Sequence, residues 1–292
     1  MLQTPETKSP GRKWSRPRPT LGLIGAGAFG AFCLPYLARH FEVSVCDPRP
    51  DLGDLARSHS VRAESLAETA ARDIVLLAVP WRTLDTVARD IAAHLKPGAL
   101  VVECCSIKVK PLKVLREALP GSVDIVGTHP LFGPQSGRNG VAGLNIAVCA
   151  VAGHTRAADR VARFLGTRLG LTVKRSSPED HDRQMAYVQG LTHFLARSIA
   201  AMDVPSLDLT TNTWSHLMRM AETVRHDSDD LYRTIAVDNP YAEEVRERFL
   251  AAAQTTLTPA TLTPTTPAPA TLRPRTPAPT AGRRLSSASR QE

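Results

Sequence analysis

The segment GTHPLFGPQSG, residues 127–137, holds a single histidine, His129, among three glycines and two prolines. Glycine and proline restrict a loop to a few conformations, and such loops often carry functional side chains. A neutral imidazole held in place there can accept a proton as a general base. The alternative is an ordinary turn histidine, and the segment by itself leaves both interpretations open.

Three more polar side chains are candidates for the same chemistry. Ser106 follows the apolar run ALVVECC, where a hydroxyl either serves the reaction or caps the next helix. Gln189 and His193 are four residues apart, a spacing that places both on one face of a helix. His193 has apolar neighbours, so a satisfied core histidine is the alternative there.

The segment GAGAFG places Gly25, Gly27 and Gly30 directly after an apolar strand and at the start of a helix. Such glycines allow a tight turn and let the backbone approach a pyrophosphate. Asp47 ends the next strand, 20 residues after Gly27, where a carboxylate binds the ribose and repels a 2′-phosphate. The sequence therefore predicts NAD in preference to NADP, although Arg49 close behind could weaken the preference. A glycine-rich turn without a ligand would leave Asp47 unexplained.

Short apolar strands separated by helical stretches must position these residues. Continuous Val/Ile/Leu runs predict strands that are buried on both faces of a parallel sheet. The expected fold class is α/β, a Rossmann-type doubly wound parallel sheet, whose substrate and nicotinamide meet beyond the carboxyl ends of the strands. Pro80 of AVPW, Ser106 and His129 all fall at those ends, and Pro80 is assigned to cofactor binding. The predicted strands are 21–25, 42–47, 73–80, 99–105, 123–128 and, near the end, 144–151, followed by a helix near 155–169.

After about residue 176 the pattern becomes helical. Ser-Pro-Glu-Asp opens a stretch of more than twenty residues without a helix breaker, and more helix is expected from 213 to 253. We predict an α/β domain over 20–175 and an all-α domain over 176–253 that dimerises with a second copy. Apolar residues at helical spacing predict a core face in the first of these helices: Met185, Val188, Leu195, Ile199 and Met202.

Basic residues at the two ends account for the net charge of +8. We expect 1–19 and the Thr/Pro/Ala-rich 254–292 to be disordered. The chain between them is formally neutral, which argues against a nucleic-acid partner. Each end carries +4: Lys8, Arg12, Lys13, Arg16 and Arg18 against Glu6, and Arg273, Arg275, Arg283, Arg284 and Arg290 against Glu292.

The five cysteines have neither metal-ligand nor disulfide spacing, which predicts reduced thiols in a cytoplasmic protein without a metal. No run of 18 apolar residues is present, so no membrane span is expected. The basic N-terminus also lacks the apolar segment of a signal peptide.

In their order and spacing, GLIGAGAFG, CCSIK, GTHPLFGPQSG and VQGLTHF resemble the prephenate/arogenate dehydrogenases of tyrosine biosynthesis. The resemblance covers about residues 20–253, and GPQSGRNGVAGL and HDSDDLY are most similar to the arogenate branch. It implies an oxidative decarboxylation in which hydride leaves C4 of a cyclohexadiene for NAD and CO₂ leaves C1. It also implies that His129 is the general base, that Ser106 orients it by a hydrogen bond, and that His193 binds or gates substrate.

The sequence departs from this family where many members carry an arginine that pairs with the side-chain carboxylate of the substrate. In the register of DSDDLY that position falls near Thr223. Arg219 or Arg225 could substitute for this arginine, and a solvated helix-end charge is the alternative for Arg225. Substrate binding is assigned to His193, Gln189 and Arg225. The acidic residue that amine-reading relatives carry near Cys149 is absent, which favours a keto acid over arogenate. Relatives from antibiotic pathways use 4-amino-4-deoxyprephenate, and the sequence does not separate a 4-hydroxyl from a 4-amine.

Two other classes of protein remain as alternatives. A β-hydroxyacid or 6-phosphogluconate-type dehydrogenase needs a lysine in the helical domain, and none follows Lys174. A regulator that senses NAD without turnover would make the basic ends its working part, but would not need His129.

Overall fold

The computed structural model describes residues 18–225 and 227–257. Nearly all of the predicted tails, 1–19 and 254–292, therefore lies outside the described residues. The last helix continues to Thr256, three residues beyond the helix predicted from 213 to 253.

Eight strands form one sheet in the order β3-β2-β1-β4-β5-β6-β7-β8. Strands β1 to β6 run parallel to one another, which confirms the predicted fold class. Six strands lie where the sequence predicted them; β3 is only two residues long and β8 carries two basic residues, so neither has an apolar run to reveal it. The strands are β1 Thr20–Ile24, β2 Glu42–Cys46, β3 Arg62–Ala63, β4 Ile74–Leu77, β5 Leu100–Glu103, β6 Asp124–Pro130, β7 Asn145–Ala150 and β8 Thr172–Ser176.

The sheet is not wholly parallel, because β7 runs antiparallel to β6. Residues 131–144 join these two strands without a helix. A parallel neighbour requires a crossover that returns the chain to the starting edge, usually through a helix. Such a crossover precedes β8, which is accordingly parallel to β7.

Helices join the strands, and after β8 the described residues contain helices and no further strand. Between strands lie α1 Ala28–Leu37, α2 Leu52–Ser58, α3 Leu66–Ala70, α4 Leu84–Ala92, α5 Val109–Ala118 and α6 Thr155–Leu169. Trp81–Thr83 form a 3₁₀ turn before α4. After β8 come α7 Pro178–Met185, α8 Thr192–Ala201, α9 Asn212–Arg225, α10 Asp229–Arg233 and α11 Ala242–Thr256.

The long helix predicted from residue 178 is interrupted by a π-helical segment, Ala186–Leu191, between α7 and α8. A π turn is wider than an α turn, so the apolar positions before and after it fall out of phase. Met185 is buried, but Val188 and Met202 are 61% and 72% exposed. The predicted core face is therefore wrong at these two residues. A second π-helical segment, Thr234–Asp238, follows α10.

The chain divides into two compact units, Met1–Phe249 and Leu250–Glu292. All strands and the helices up to α10 belong to the first unit. The domain boundaries predicted at residues 175 and 253 stay predictions. No helix within the described residues is both long and apolar enough to cross a membrane.

Candidate active site

The turn between β1 and α1 has the backbone that its glycines were predicted to allow. Gly25 has φ +96°, and a Cβ there would lie 2.5 Å from the carbonyl oxygen of Ala78. A Cβ on Gly30 would lie 2.1 Å from the Gly25 carbonyl oxygen. A Cβ on Gly27 would meet no atom within 4 Å. Gly27 is the N-terminal cap residue of α1 and makes no side-chain hydrogen bond to that helix end. The free space at a helix N-terminus suits a pyrophosphate.

Asp47 follows β2 and lies against this turn. Its Oδ2 accepts the backbone N–H of Ala26 at 2.6 Å, and its Oδ1 accepts that of Arg49 at 2.9 Å. The guanidinium of Arg49 forms a bidentate ion pair with Asp51, at 2.6 and 2.7 Å, and donates to the Ala26 carbonyl at 2.7 Å. The positive charge of Arg49 is therefore paired with the carboxylate of Asp51 and not with that of Asp47.

Pro80 begins the 3₁₀ turn that follows β4. The indole N–H of Trp81 donates to the carboxylate of Asp238 at 3.0 Å, and Arg82 donates to the same oxygen at 2.7 Å. Arg82 also pairs with Asp230 at 3.4 Å. These contacts hold the end of β4 against the helical part, next to the glycine turn.

His129 lies within β6 and not in the loop that follows, where the sequence analysis placed it. The strand continues to Pro130, and its register with β7 pairs His129 with Ala147. The ring is 3% exposed. Backbone pairing in the sheet, more than the glycines and prolines of the loop, fixes the position of this side chain.

Behind His129 lies a chain of buried hydrogen bonds. Nδ1 of His129 lies 2.9 Å from Nε2 of His181, and Nδ1 of His181 lies 2.7 Å from Oδ1 of Asp182. With Asp182 ionised, His181 donates from Nδ1 and its Nε2 accepts the proton on Nδ1 of His129; these tautomers follow from the hydrogen-bond pattern. Nε2 of His129 then carries the free lone pair.

Asp182 also caps α5. Its Oδ1 accepts the backbone N–H of Lys108 at 2.7 Å and its Oδ2 accepts that of Val109 at 2.9 Å. Backbone donors and the positive end of the helix dipole stabilise a carboxylate in this position. The fully buried Asp182 therefore has the partners that an ionised carboxylate requires.

A buried ion pair between Lys108 and Glu103 lies beside the strand of His129. Nζ of Lys108 also donates to the carbonyl oxygen of Thr128 at 2.6 Å. Burial opposes the charge on Lys108, but the carboxylate of Glu103 holds the pKa of Lys108 above its ordinary value. A positive charge is thus kept in the protein interior near His129.

The pKa of His129 lies well below its ordinary value of 6.5. Burial, which disfavours the imidazolium, is the largest cause, and the electrostatic interactions with His181 and Lys108 act in the same direction. At neutral pH the ring is therefore neutral and can accept a proton.

Gln189 lies in the first π-helical segment and reaches the same ring. Its Nε2 lies 3.5 Å from Nε2 of His129, which is long for a hydrogen bond. Its buried Oε1 has no hydrogen-bond partner among the described residues. Since buried polar atoms are nearly always paired, this amide is consistent with a ligand that supplies the missing donor.

Both ring nitrogens of His193 are used within the protein. Nδ1 lies 2.9 Å from the carbonyl oxygen of Gln189, and Nε2 lies 3.0 Å from Oδ2 of Asp227. Both neighbours are acceptors, so the ring satisfies them when it carries a proton on each nitrogen. These contacts are typical of a structural histidine whose hydrogen bonds are satisfied within the protein. That was the alternative to substrate binding that the sequence left open.

The structure does not give Ser106 and Arg225 the contacts expected of them. The hydroxyl of Ser106 makes no hydrogen bond to any residue that the structure describes, so its expected bond to His129 is absent and His181 occupies that place. Arg225 ends α9 with its side chain 68% exposed and pairs with Glu222 on the same helix at 3.4 Å. That is the solvated helix-end charge of the alternative interpretation.

The sequence analysis missed His181 and Asp182. Both stand in SPEDHD, which was interpreted only as a helix start. A histidine followed by a carboxylate was the available signal. Nothing local shows that this pair meets a strand residue 52 positions earlier in the chain.

The fold and the turn define a Rossmann-type protein with a helical C-terminal part and a buried histidine at a strand end. Two family models match the chain: prephenate dehydrogenase, nucleotide-binding domain, over residues 49–144, and prephenate dehydrogenase, dimerization domain, over residues 177–259. Together they cover more than half of the 292 residues. The chain belongs to the prephenate dehydrogenase family, which confirms the resemblance.

Relatives in this family carry different names. The chain is 28% identical over 246 residues to "Arogenate dehydrogenase 1, chloroplastic" of Arabidopsis thaliana, covering 82% of this chain and 38% of that protein. It is 27% identical over 240 residues to "4-amino-4-deoxyprephenate dehydrogenase" of Streptomyces pristinaespiralis, covering 76% and 78%. The chain thus spans little more than a third of the length of the plant relative.

Among solved structures, the fold is similar to that of prephenate dehydrogenase from A. aeolicus in complex with hydroxyphenyl propionate and NAD⁺. The TM-score is 0.67 at 18% identity, covering 84% of this chain and 90% of that one. At this identity the similarity concerns the fold alone.

Proposed function

We propose that this protein is an NAD-dependent dehydrogenase that oxidatively decarboxylates a prephenate-type cyclohexadiene to a 4-substituted phenylpyruvate. The substrate is prephenate or 4-amino-4-deoxyprephenate. The observation that carries the proposal is the buried chain His129–His181–Asp182, which leaves a basic nitrogen at the carboxyl end of the sheet where the glycine turn also lies.

The glycine turn and Asp47 fit NAD. Gly25 and Gly30 have no room for a side chain, while Gly27 leaves open space at the start of α1 for a pyrophosphate. The carboxylate of Asp47 lies at the turn, where a ribose would bind. Because Asp51 neutralises Arg49, no free cation is offered here to the 2′-phosphate of NADP. Bound NAD would accept the hydride that leaves C4.

His129 acts as the general base. As hydride leaves C4, its Nε2 takes the proton from the 4-hydroxyl, or from a 4-amine, and that oxygen or nitrogen becomes doubly bonded to C4. When the C1 carboxylate departs as CO₂, the electron pair of the broken bond makes the ring aromatic and returns to the oxygen or nitrogen, which recovers the proton from His129. His181 and Asp182 hold the ring in one tautomer and one orientation, as a carboxylate–histidine pair does in other enzymes. General-base assistance of this kind contributes about 10²–10⁴ to the rate.

The unpartnered Oε1 of Gln189 supports the predicted contact of this residue with the substrate, as an acceptor close to the base. No described arginine contacts His129 or Gln189, so the group that pairs with the substrate's side-chain carboxylate stays unassigned. Roles for Ser106, His193 and Arg225 remain predictions from the resemblance.

The proposed oligomeric state is a homodimer, and the proposed location is the cytoplasm. The match to the dimerization domain over 177–259 supports a homodimer formed by the helical part. We propose a cytoplasmic location on the basis of five cysteines that are all unpaired.

The test is NADH formation by the purified protein with prephenate, 4-amino-4-deoxyprephenate and arogenate offered side by side. Turnover of either of the first two compounds supports the proposal and identifies the group at C4. The wild type is compared with the variant His129→Asn, whose NAD affinity is measured separately.

Arogenate is the second candidate substrate, favoured by the plant relative that aligns with 82% of this chain. Turnover of arogenate alone would replace the proposed keto acid by an amino acid. If none of the three compounds is oxidised although NAD binds, the enzyme proposal fails and a non-catalytic NAD sensor takes its place.

A further inference from the structure

A cavity of about 330 Å³ lies on the other face of the sheet from His129. Thr128 and Pro130 of β6 line it, and since successive strand residues point to opposite faces, His129 points away from it. Residues of α1 and α6 form the remaining walls. The cavity is therefore separate from the candidate active site.

Aromatic rings stand at both ends of the sheet in this cavity. Phe29 and Phe132, with ring centroids 6.4 Å apart, lie at the carboxyl ends of the strands, on the glycine turn and on the loop after β6. Phe41 and Phe164, 5.1 Å apart, lie at the amino end of β2. Aliphatic side chains of the strands fill the floor between them, so the lining is almost wholly apolar.

The cavity is partly open to solvent, so a ligand can enter it from outside. A ligand that covers this apolar lining removes apolar surface from water, which is favourable. Water is a poor occupant, since a buried water needs two to four polar partners. The thiols of Cys33 and Cys104 line the space, and burial raises the pKa of Cys104 to about 12, so the interior does not favour a charge.

We infer that the space between α1 and α6 is a binding site for an uncharged aromatic molecule of about two fused rings. An apolar cavity of about 150 Å³ holds benzene, so one of this volume accommodates a second ring. The rings of the lining offer edge and face contacts to an aromatic ligand. The occupant touches Phe29 and Phe132, and through them both loops of the candidate active site.

The test uses two probes that differ by one sulfonate, 1-naphthylamine and 5-aminonaphthalene-1-sulfonate, titrated into the full chain and followed by fluorescence. The neutral probe is expected to bind at one saturable site, and the sulfonate at least about tenfold more weakly. Leu165→Trp, which fills the cavity from α6, should weaken the neutral probe by about tenfold or more. Thr167→Trp places the same ring on the exposed side of the same helix and should leave binding unchanged.

Three results would overturn the inference: no saturable binding by the wild type, equal affinity for both probes, or binding that Leu165→Trp does not weaken. Should Leu165→Trp fail to fold, a crystal of the wild type under xenon pressure decides, because absence of xenon between α1 and α6 refutes the site. Neither readout involves dehydrogenase activity, so the outcome is independent of the proposed function.

Discussion

Among single residues, Asp182 decides which nitrogen of His129 is basic. Its carboxylate accepts a hydrogen bond from Nδ1–H of His181, and Nε2 of His181 in turn accepts one from Nδ1–H of His129. Among the described residues, only the amide of Gln189, at 3.5 Å, approaches the lone pair that is left on Nε2 of His129. A carboxylate that does not touch His129 thus sets the tautomer of the proposed base.

Replacing His129 by Asn should remove the base and leave the dinucleotide site unchanged. We expect kcat/KM to fall by about 10²–10⁴ and the Kd for NAD to stay within about twofold. Steady-state kinetics and NAD titration measure the two effects. His154→Asn is the control, since His154 pairs with Asp124 at 3.1 Å and belongs to none of the site residues. Unchanged turnover in His129→Asn would exclude it as the base.

His181 should act by positioning and by charge. Its replacement by Asn is expected to lower kcat by about 10–100-fold, the usual range for a supporting partner. Because the pKa of His129 is depressed, the base stays neutral below pH 6.5 and the acid limb of the wild-type kcat profile should lie below that value. His181→Asn removes one cause of the depression, so the limb should move up towards pH 6.5. A merely structural role would lower kcat without moving the limb.

At the scale of elements, the glycines of the turn between β1 and α1 meet two different requirements, close packing and open space. Gly25 and Gly30 serve the close packing of the strand and helix, whereas Gly27 has space around it, as its proposed contact with the dinucleotide requires. Substitutions at these positions therefore have different consequences for stability and for binding.

Gly27→Ala should keep the protein folded and weaken NAD binding by about tenfold or more, because the new methyl occupies the space of the pyrophosphate. Thermal unfolding and NAD titration give the two readouts. Gly121→Ala is matched to it, since a Cβ there also meets no atom within 4 Å, and should change neither. Unaltered NAD affinity in Gly27→Ala would show that the dinucleotide binds elsewhere.

The start of α5 is held by a residue of α7, which joins the sheet region to the helical part. The carboxylate of Asp182 accepts the backbone N–H groups of Lys108 and Val109. Asp182→Asn removes its negative charge and one of its acceptor oxygens, and should lower the free energy of unfolding by about 1–3 kcal/mol. Urea unfolding measures this. Asp180→Asn changes an exposed carboxylate of the same helix, paired with Arg183 at 3.2 Å, and should cost less than about 1 kcal/mol. Equal losses would argue against a special role of the cap.

At the scale of the whole molecule, large apolar side chains remain exposed on the helical part. Val188, Met202 and Leu209 are 61%, 72% and 96% exposed. Exposed apolar surface of this extent is typical of a subunit interface, and the match to a dimerization domain lies over the same residues.

Val188→Asp and Met202→Asp should therefore shift the protein from dimer to monomer by placing charges in an apolar interface. Analytical ultracentrifugation at several concentrations measures the shift. Thr167→Asp adds the same charge on the exposed side of α6 and should leave the dimer intact. A wild type that sediments as a monomer at all concentrations would contradict the expectation.

Several features could be predicted from the sequence because they are encoded locally. Buried strands are apolar runs, a dinucleotide turn needs glycines at fixed spacing, and helices start at residues such as Ser177, whose hydroxyl accepts the N–H of Asp180. Six strands, the turn with Asp47 and the helical part followed from such patterns. β3, β8 and the π-helical segments did not, because a very short strand, a charged edge strand and a widened helical turn have no distinct periodicity.

The sequence by itself determined that His129 stands at the end of a strand in a dinucleotide-binding fold and that a helical part follows. Only the tertiary structure decided what surrounds that histidine. It replaced Ser106 by His181 and Asp182, used both nitrogens of His193 within the protein, placed Arg225 in solvent and left a cavity between α1 and α6. Local patterns report which face of an element is apolar, whereas a hydrogen-bond partner 52 residues away is chosen by how strands and helices pack.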